Sequence, residues 1–280
     1  MTQVAIVGAG EIGGATAHAL AASGRVRRVL LIDPAGSIAV GKALDIQQAC
    51  AIGGSHVHFG GSDDVSRAAG CAACVVADRA GTGEWRGDDG LAMLRHVASY
   101  VPAAPIVLAG ALQADLLTRA IIEGGVHRRR LIGSAPEALA SAIAAIVALE
   151  ARCSPADVML AVLGGPSSGF VVPWSEASIG GYALQQVLSP PQLARIEARV
   201  AHLWPPGPYA LGAAAARIVG ALLSSSRRSF SILALLDGEF GVRDRAGAVP
   251  ATLSPSGVAH TRTPELTTRE RVRVQTALAG

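Results

Sequence analysis

Gly8-Ala9-Gly10-Glu11-Ile12-Gly13 is the stretch whose residue types and spacing point most directly to chemistry. It reads G-x-G-x-x-G, follows the apolar run Val4–Val7 and opens the helix-periodic segment Ile12–Ala22. In that setting Gly8 permits a tight turn, Gly10 lets the backbone approach a ligand, and Gly13 lets helix and strand pack closely. The first N–H groups of the helix then face a phosphate. Asp33 closes the second apolar run, 20 residues beyond Gly13. A carboxylate there accepts from a ribose hydroxyl and repels a 2′-phosphate. The pattern predicts a dinucleotide site formed by Gly8, Gly10, Glu11, Ile12, Gly13 and Asp33, taking NAD in preference to NADP. Glu11 suits the helix dipole but adds negative charge near the pyrophosphate.

Two further segments carry reactive groups. "LAVLGGPSSGFVVP", Leu160 to Pro173, reads as a strand, a tight loop and a second strand. Loops at strand ends place side chains in clefts. This one offers Ser167 and Ser168 but no histidine, carboxylate or cation, and serine without an activator is a poor base. Cys71 and Cys74 form a C-x-x-C at the entry to an apolar strand. A redox pair wants a helix N-terminus and zinc wants a second pair, so buried structural thiols and no metal site are expected.

The elements that must position these groups alternate in the first half. Strands are predicted at Val4–Val7, Val26–Ile32, His56–Phe59, Cys71–Ala77, Ile106–Leu108 and Leu131–Ile132. Helices fall at Ile12–Ala22, Ala39–Ala51 and near 63–69, 88–100 and 113–123. This rhythm argues for a parallel sheet covered on both faces. After Ser134 the rhythm changes. A long helix is predicted over Pro136–Ala151, then strands Val158–Leu163 and Phe170–Trp174, and helices near 189–203 and 208–224. Antiparallel strands Ser229–Leu236, Phe240–Val242 and Ala248–Leu253 and a last helix over Pro264–Leu278 complete the chain. The division expected is a dinucleotide-binding domain over 1–134 and an α+β domain over 135–280.

Composition bounds the rest. The chain has 280 residues, half of them apolar and 16% charged, which suits a globular protein. The net charge of +3 is spread thinly apart from His127–Arg130, so no nucleic-acid partner is expected. No apolar run reaches the roughly 20 residues of a membrane span. The first strand begins at Gln3, which leaves no room for a signal peptide, and a cytoplasmic location is the default expectation.

The chain resembles the lactate/malate dehydrogenase family over nearly its whole length, nearer its malate dehydrogenase branch. The resemblance is carried by "VAIVGAGEIGGATAHALAASG", "VLLIDPAGSIAVGKALDIQQA", "VLGG…VVPWS", "PYALGAAAARIVGALL", "LLDGEFGVRD" and "GAVPATLSPSGV". It implies a Rossmann-type doubly wound parallel sheet followed by an α+β substrate domain. It also implies NAD as cofactor, hydride transfer on a 2-hydroxy or 2-oxo acid, and a homodimer or homotetramer. The family pairs its subunits through helices that correspond here to Ile12–Ala22 and Ala39–Ala51.

The family's chemistry needs a histidine as base, an aspartate to orient it, an arginine to clamp the substrate carboxylate, a second arginine on a mobile loop, and an asparagine. The family's Gly-His-Gly-Asp loop corresponds to Gly165-Pro166-Ser167-Ser168-Gly169, without a histidine. Its Leu-Asp-Ser-Ala-Arg helix resembles Leu139-Ala140-Ser141-Ala142-Ile143, and nothing from Ala138 to Leu149 is charged. Its Asn-Pro turn becomes Ala109-Gly110-Ala111-Leu112, and the chain has no asparagine. Arg86 matches the loop arginine that polarises the substrate, and Arg79 matches its neighbour loosely. Arg86 is therefore the expected catalytic residue, with Arg79, Ser167 and Ser168 as substrate contacts. Of the seven histidines, His96 is the nearest to a substitute base. Two readings stand: an oxidoreductase by ancestry acting through other residues, and a catalytically silent relative that binds cofactor or partner subunits.

Overall fold

The computed structural model describes residues 2–166, 169–224 and 226–279. The first half runs β1 (Gln3–Val7), α1 (Glu11–Ala22), β2 (Arg28–Ile32), α2 (Gly36–Ile52), β3 (His58–Ser62), β4 (Ala73–Val76), β5 (Asp78–Arg79), β6 (Gly83–Glu84), α3 (Gly87–Tyr100), β7 (Ile106–Leu108), α4 (Ala114–Ile122) and β8 (Leu131–Gly133). The second half runs α5 (Ala135–Ala151), β9 (Val158–Met159), β10 (Leu163–Gly165), β11 (Gly169–Val171), β12 (Ser178–Ile179), β13 (Tyr182–Ala183), α6 (Leu184–Val187), α7 (Pro190–Val200), α8 (Pro208–Ser224), β14 (Phe230–Asp237), β15 (Arg243–Ser254), β16 (Gly257–Thr261) and α9 (Thr268–Ala279).

Six strands are parallel in the order β3-β2-β1-β4-β7-β8. This is the doubly wound order of dinucleotide-binding sheets, and it reverses direction between β1 and β4. Strands buried on both faces read as continuous apolar runs, and Val4, Ala5 and Ile6 of β1 are fully buried. The sheet continues antiparallel through β14, β15, β10 and β11, with β16 paired to β15. One apolar cluster joins a sheet face to α1, α2 and α8, and another joins the opposite face to α3 and α4. A third gathers α5, α7 and the β9–β13 region.

Several elements differ from their sequence-based expectation. The strand expected over Val158–Leu163 is broken, because β9 pairs into a small sheet with β12 while β10 joins the main one. Between them Ser231 Oγ accepts from the Val162 N–H at 3.1 Å and anchors the change of sheet. The helix expected near 63–69 is a single 3-10 turn, Val65–Ala68, which Asp64 caps by accepting from the Ser66 N–H. The strand expected over Phe240–Val242 is a tight turn with Phe240 at φ 55°, outside the extended region. The strand expected over Phe170–Trp174 stops at Val171, and Trp174–Glu176 forms a 3-10 turn. The hairpins β5–β6 and β12–β13, the short α6 and the strand β16 lack a sequence-based counterpart.

The last helix, α9, lies against β10 and β11. Glu270 fastens it there. Its carboxylate accepts from the Ser175 N–H and hydroxyl and from the Thr267 N–H and hydroxyl, at 2.6–3.1 Å. Burial works to raise its pKa, but these four bonds outweigh burial and hold it below the ordinary carboxylate value. A lowered folded pKa contributes stability that is complete above the unfolded value and is lost as pH falls through the folded one. Glu270→Ala is expected to cost about 2 kcal/mol at neutral pH and less in acid. Denaturant unfolding of both proteins at neutral and acid pH measures this.

Candidate active site

Ligands of open α/β sheets bind outside the carboxyl ends of the strands where the strand order reverses. Here that place lies between the ends of β1 and β4. Gly8 turns at φ 115°, and a Cβ on Gly13 would sit 2.0 Å from the Gly8 carbonyl oxygen. The three glycines thus form the close strand–helix turn expected of them. Ile12 is buried in the core, whereas Glu11 is exposed at the start of α1.

The donors of this cradle have partners within the chain. Asp78 follows β4, and its carboxylate accepts from the Glu11 N–H at 2.8 Å and the Gly13 N–H at 3.0 Å. Its carbonyl accepts from the Gly10 N–H at 2.9 Å. A Cβ on Gly10 would lie 2.3 Å from the Asp78 carboxyl carbon, so the acid rests on the glycine itself. Asp33 ends β2 as expected but is only 2% exposed. Its carboxylate accepts from the N–H groups of Ala9, Ala35 and Ala80 at 2.8–2.9 Å. Lys42 donates to the Gly10 carbonyl at 2.7 Å. The backbone has the turn of a dinucleotide cradle. In this structure the Glu11 and Gly13 N–H groups, expected to face a phosphate, donate to Asp78.

The segment expected to be a mobile loop is the hairpin β5–β6, with Asp78 directly across from Glu84. The Glu84 carboxylate accepts from the N–H groups of Ala111 and Leu112 at 3.1 and 2.9 Å. It thereby fills the turn that stands where the family has Asn-Pro. Arg79 lies inside the hairpin, its guanidinium 4.6 Å from the centre of the Trp85 ring. Arg86 is exposed at the start of α3. Gln113, 1% exposed, was missed by sequence reasoning. Its Oε1 accepts from the Gly110 N–H, while its Nε2 lacks a hydrogen-bond partner among the described residues. The signal that could have found it is an amide side chain in the turn whose asparagine is missing.

On α5, Ile143 is fully buried and Ala140 is 7% exposed, both in the cluster containing Ile146, Val147 and Val162. Ser167 and Ser168 lie outside the described residues. His96 is an exposed residue of α3 whose ring is tilted at 55° to that of Tyr100, ring centres 5.3 Å apart. Cys71 and Cys74 are buried free thiols, and burial pushes the Cys71 pKa up to about 11 and that of Cys74 well above normal. That is the inert state expected of them. Among the described residues no group of three or more His, Cys, Asp or Glu could hold a metal ion. Nor is any helix there long and apolar enough to cross a membrane.

An open cleft of about 850 Å3 is lined by α5, including Ala140, and by Arg217 of α8 together with the segments around Ala156 and Arg228. Glu137 sits in its wall, accepting from the Ser231 N–H at 2.9 Å and facing Arg217 Nε at 3.2 Å. Burial raises its pKa, and the opposing pull of Arg217, the Ser231 N–H and Arg228 is smaller.

Sheet order and glycine cradle together define a Rossmann-type protein with an antiparallel extension. No protein-family model matches the chain. The malate dehydrogenase of Thioalkalivibrio sulfidiphilus is 32% identical to it, across all of this chain and 97% of that one. The malate dehydrogenase of Pseudomonas putida is 29% identical across 92% and 90%. The malate dehydrogenase structure from Aeropyrum pernix superposes with a TM-score of 0.86 at 23% identity, covering 99% of this chain and 95% of that one. A Cryptosporidium parvum lactate dehydrogenase, solved with lactic acid and nicotinamide adenine dinucleotide, gives 0.87 at 23% identity over 99% and 94%. The chain belongs to the lactate/malate dehydrogenase family.

The state of Glu137 makes stability depend on pH. Its raised folded pKa means that the native state holds this proton more tightly than the unfolded chain. Stability from this group is therefore complete below the ordinary carboxylate pKa and is lost as pH rises through the raised value. Glu137→Gln is expected to flatten that decline, read as denaturation midpoints at stepped pH from mildly acid to neutral.

Proposed function

We propose that the chain is a catalytically silent member of its family, an oxidoreductase by ancestry that retains the coenzyme cradle and the subunit-pairing surface but not hydride transfer. One observation carries the reading. Ile143, where the resemblance puts the carboxylate clamp, is fully buried in an apolar cluster, and Ala140, where it puts the orienting acid, carries no polar group. An ion cannot stand at position 143 without a partner, and the apolar cluster around it supplies none. The relatives' names make a 2-hydroxy or 2-oxo acid the ancestral substrate. Asp33 makes NAD the ancestral cofactor, within a cofactor half over 1–134 and a substrate-type half over 135–280. Arg86, exposed beside the hairpin, is the remaining catalytic element. Arg79, Ser167 and Ser168 are the substrate contacts of the ancestral site. The Gln113 amide favours a second reading, in which a residual reaction uses Arg86 and Gln113 in place of the usual set.

Loss of a positioned base removes about 10²–10⁴ in rate, and loss of the clamp removes orientation as well. Oxidation of NADH with oxaloacetate or pyruvate is expected to run at least about 10⁴-fold below ordinary members, with Arg86→Ala no slower than wild type. Robust turnover that depends on Arg86 would refute silence.

The subunit-pairing part of the reading rests on α2, which exposes Ile38, Val40 and Leu44 at 48–57%. The surface of α1 is largely covered by α8, so α2 carries the exposed apolar contribution. Light scattering at micromolar concentration is expected to give a dimer or tetramer, and Val40→Glu with Leu44→Glu to give a monomer.

A further inference from the structure

We propose that the β5–β6 hairpin is a latch whose own carboxylates hold the coenzyme cleft shut, so that Asp78 decides whether a dinucleotide can bind. The inference deepens the reading of a silent relative with a retained cradle. A helix N-terminus has N–H groups without intrahelical partners, and these make it a phosphate site. On α1 those of Glu11 and Gly13 are bound by one carboxylate that also lies on Gly10. A pyrophosphate entering here meets occupied donors and a like charge.

The second carboxylate makes this a latch and not an isolated cap. Glu84 stands across the hairpin from Asp78 and binds the Ala111 and Leu112 N–H groups. A Cβ on Gly110 would lie 2.2 Å from its Oε2, so the acid fills the space over that turn. The hairpin is thus pinned at both strands, one to the start of α1 and the other to the turn after β7. Arg79 over Trp85 ties its interior together. Ala80, at its tip, donates to Asp33, so the ribose-binding acid is engaged by the same hairpin. Dinucleotide entry therefore requires the hairpin to release the cleft, and affinity is reduced by the fraction of molecules in which it is closed.

The experiment is calorimetric titration of the full-length chain with NADH and, separately, with inorganic pyrophosphate. Wild type is compared with Asp78→Ala, Asp78→Asn and Glu84→Gln, each checked for native circular dichroism. Asp78→Ala is expected to tighten NADH binding at least about 100-fold and to create pyrophosphate binding. Asp78→Asn and Glu84→Gln are expected to fall between it and wild type. Amide exchange at Glu11 and Gly13 is expected to accelerate in Asp78→Ala without ligand, a readout that stands even where binding is weak. Equal NADH affinity in wild type and Asp78→Ala overturns the latch, as does failure of every variant to bind. Failure of every variant to bind also removes the retained cradle, whereas neither result touches the loss of hydride transfer, which is refuted only if wild type turns over 2-oxo acids.

Discussion

The N–H groups at the start of α1 need an anionic or polar partner, and the state of the whole cleft depends on which partner they have. In this chain it is the carboxylate of Asp78, which reaches them from the end of the neighbouring strand. An anion at a helix N-terminus contributes up to about 2 kcal/mol where it is partly sheltered from water. Asp78 also lies in the first strand of the hairpin that follows β4. It rests on Gly10 just beyond the end of β4. The chain doubles back as β5–β6 and sets Glu84 on the turn after β7. Two acids in register thus bind the N–H groups at the start of α1 and in the turn after β7.

The second half is held by apolar contacts. α5 keeps its length and place, but its face toward the β9–β13 region carries Ala140, Ile143 and Val147. Such residues pack at low cost where charged ones would need partners and water. The one acid that α5 does bury is Glu137. It bridges Arg217 and the Ser231 N–H, joining α5 to α8 and to the start of β14. Ser231 in turn holds Val162, where the chain crosses from the small sheet to the main one. The polar groups of this region thus support the architecture. A fold hosts sites and does not require them.

The sequence by itself determined the parallel sheet, its glycine turn and most of the helices, because these are written in local periodicity. Apolar runs bounded by turns, and small residues spaced for α1 and α8, are legible without any partner in view. It also determined that Gly165–Gly169 holds no histidine and Ala138–Leu149 no charge. The short elements between Asp157 and Leu188 were illegible because they are too short to show a period and are held by pairings with distant segments. The state of the candidate site was decided only by the tertiary structure. Asp78 and Glu84 read in sequence as ordinary polar residues of a loop. They acquire their roles because the sheet brings Asp78 to Glu11, 67 positions earlier, and Glu84 to Leu112, 28 positions later. Gln113 is an ordinary amide until the same turn buries it. A hydrogen bond across such separations depends on which strand ends are neighbours, and that adjacency is a property of the assembled sheet.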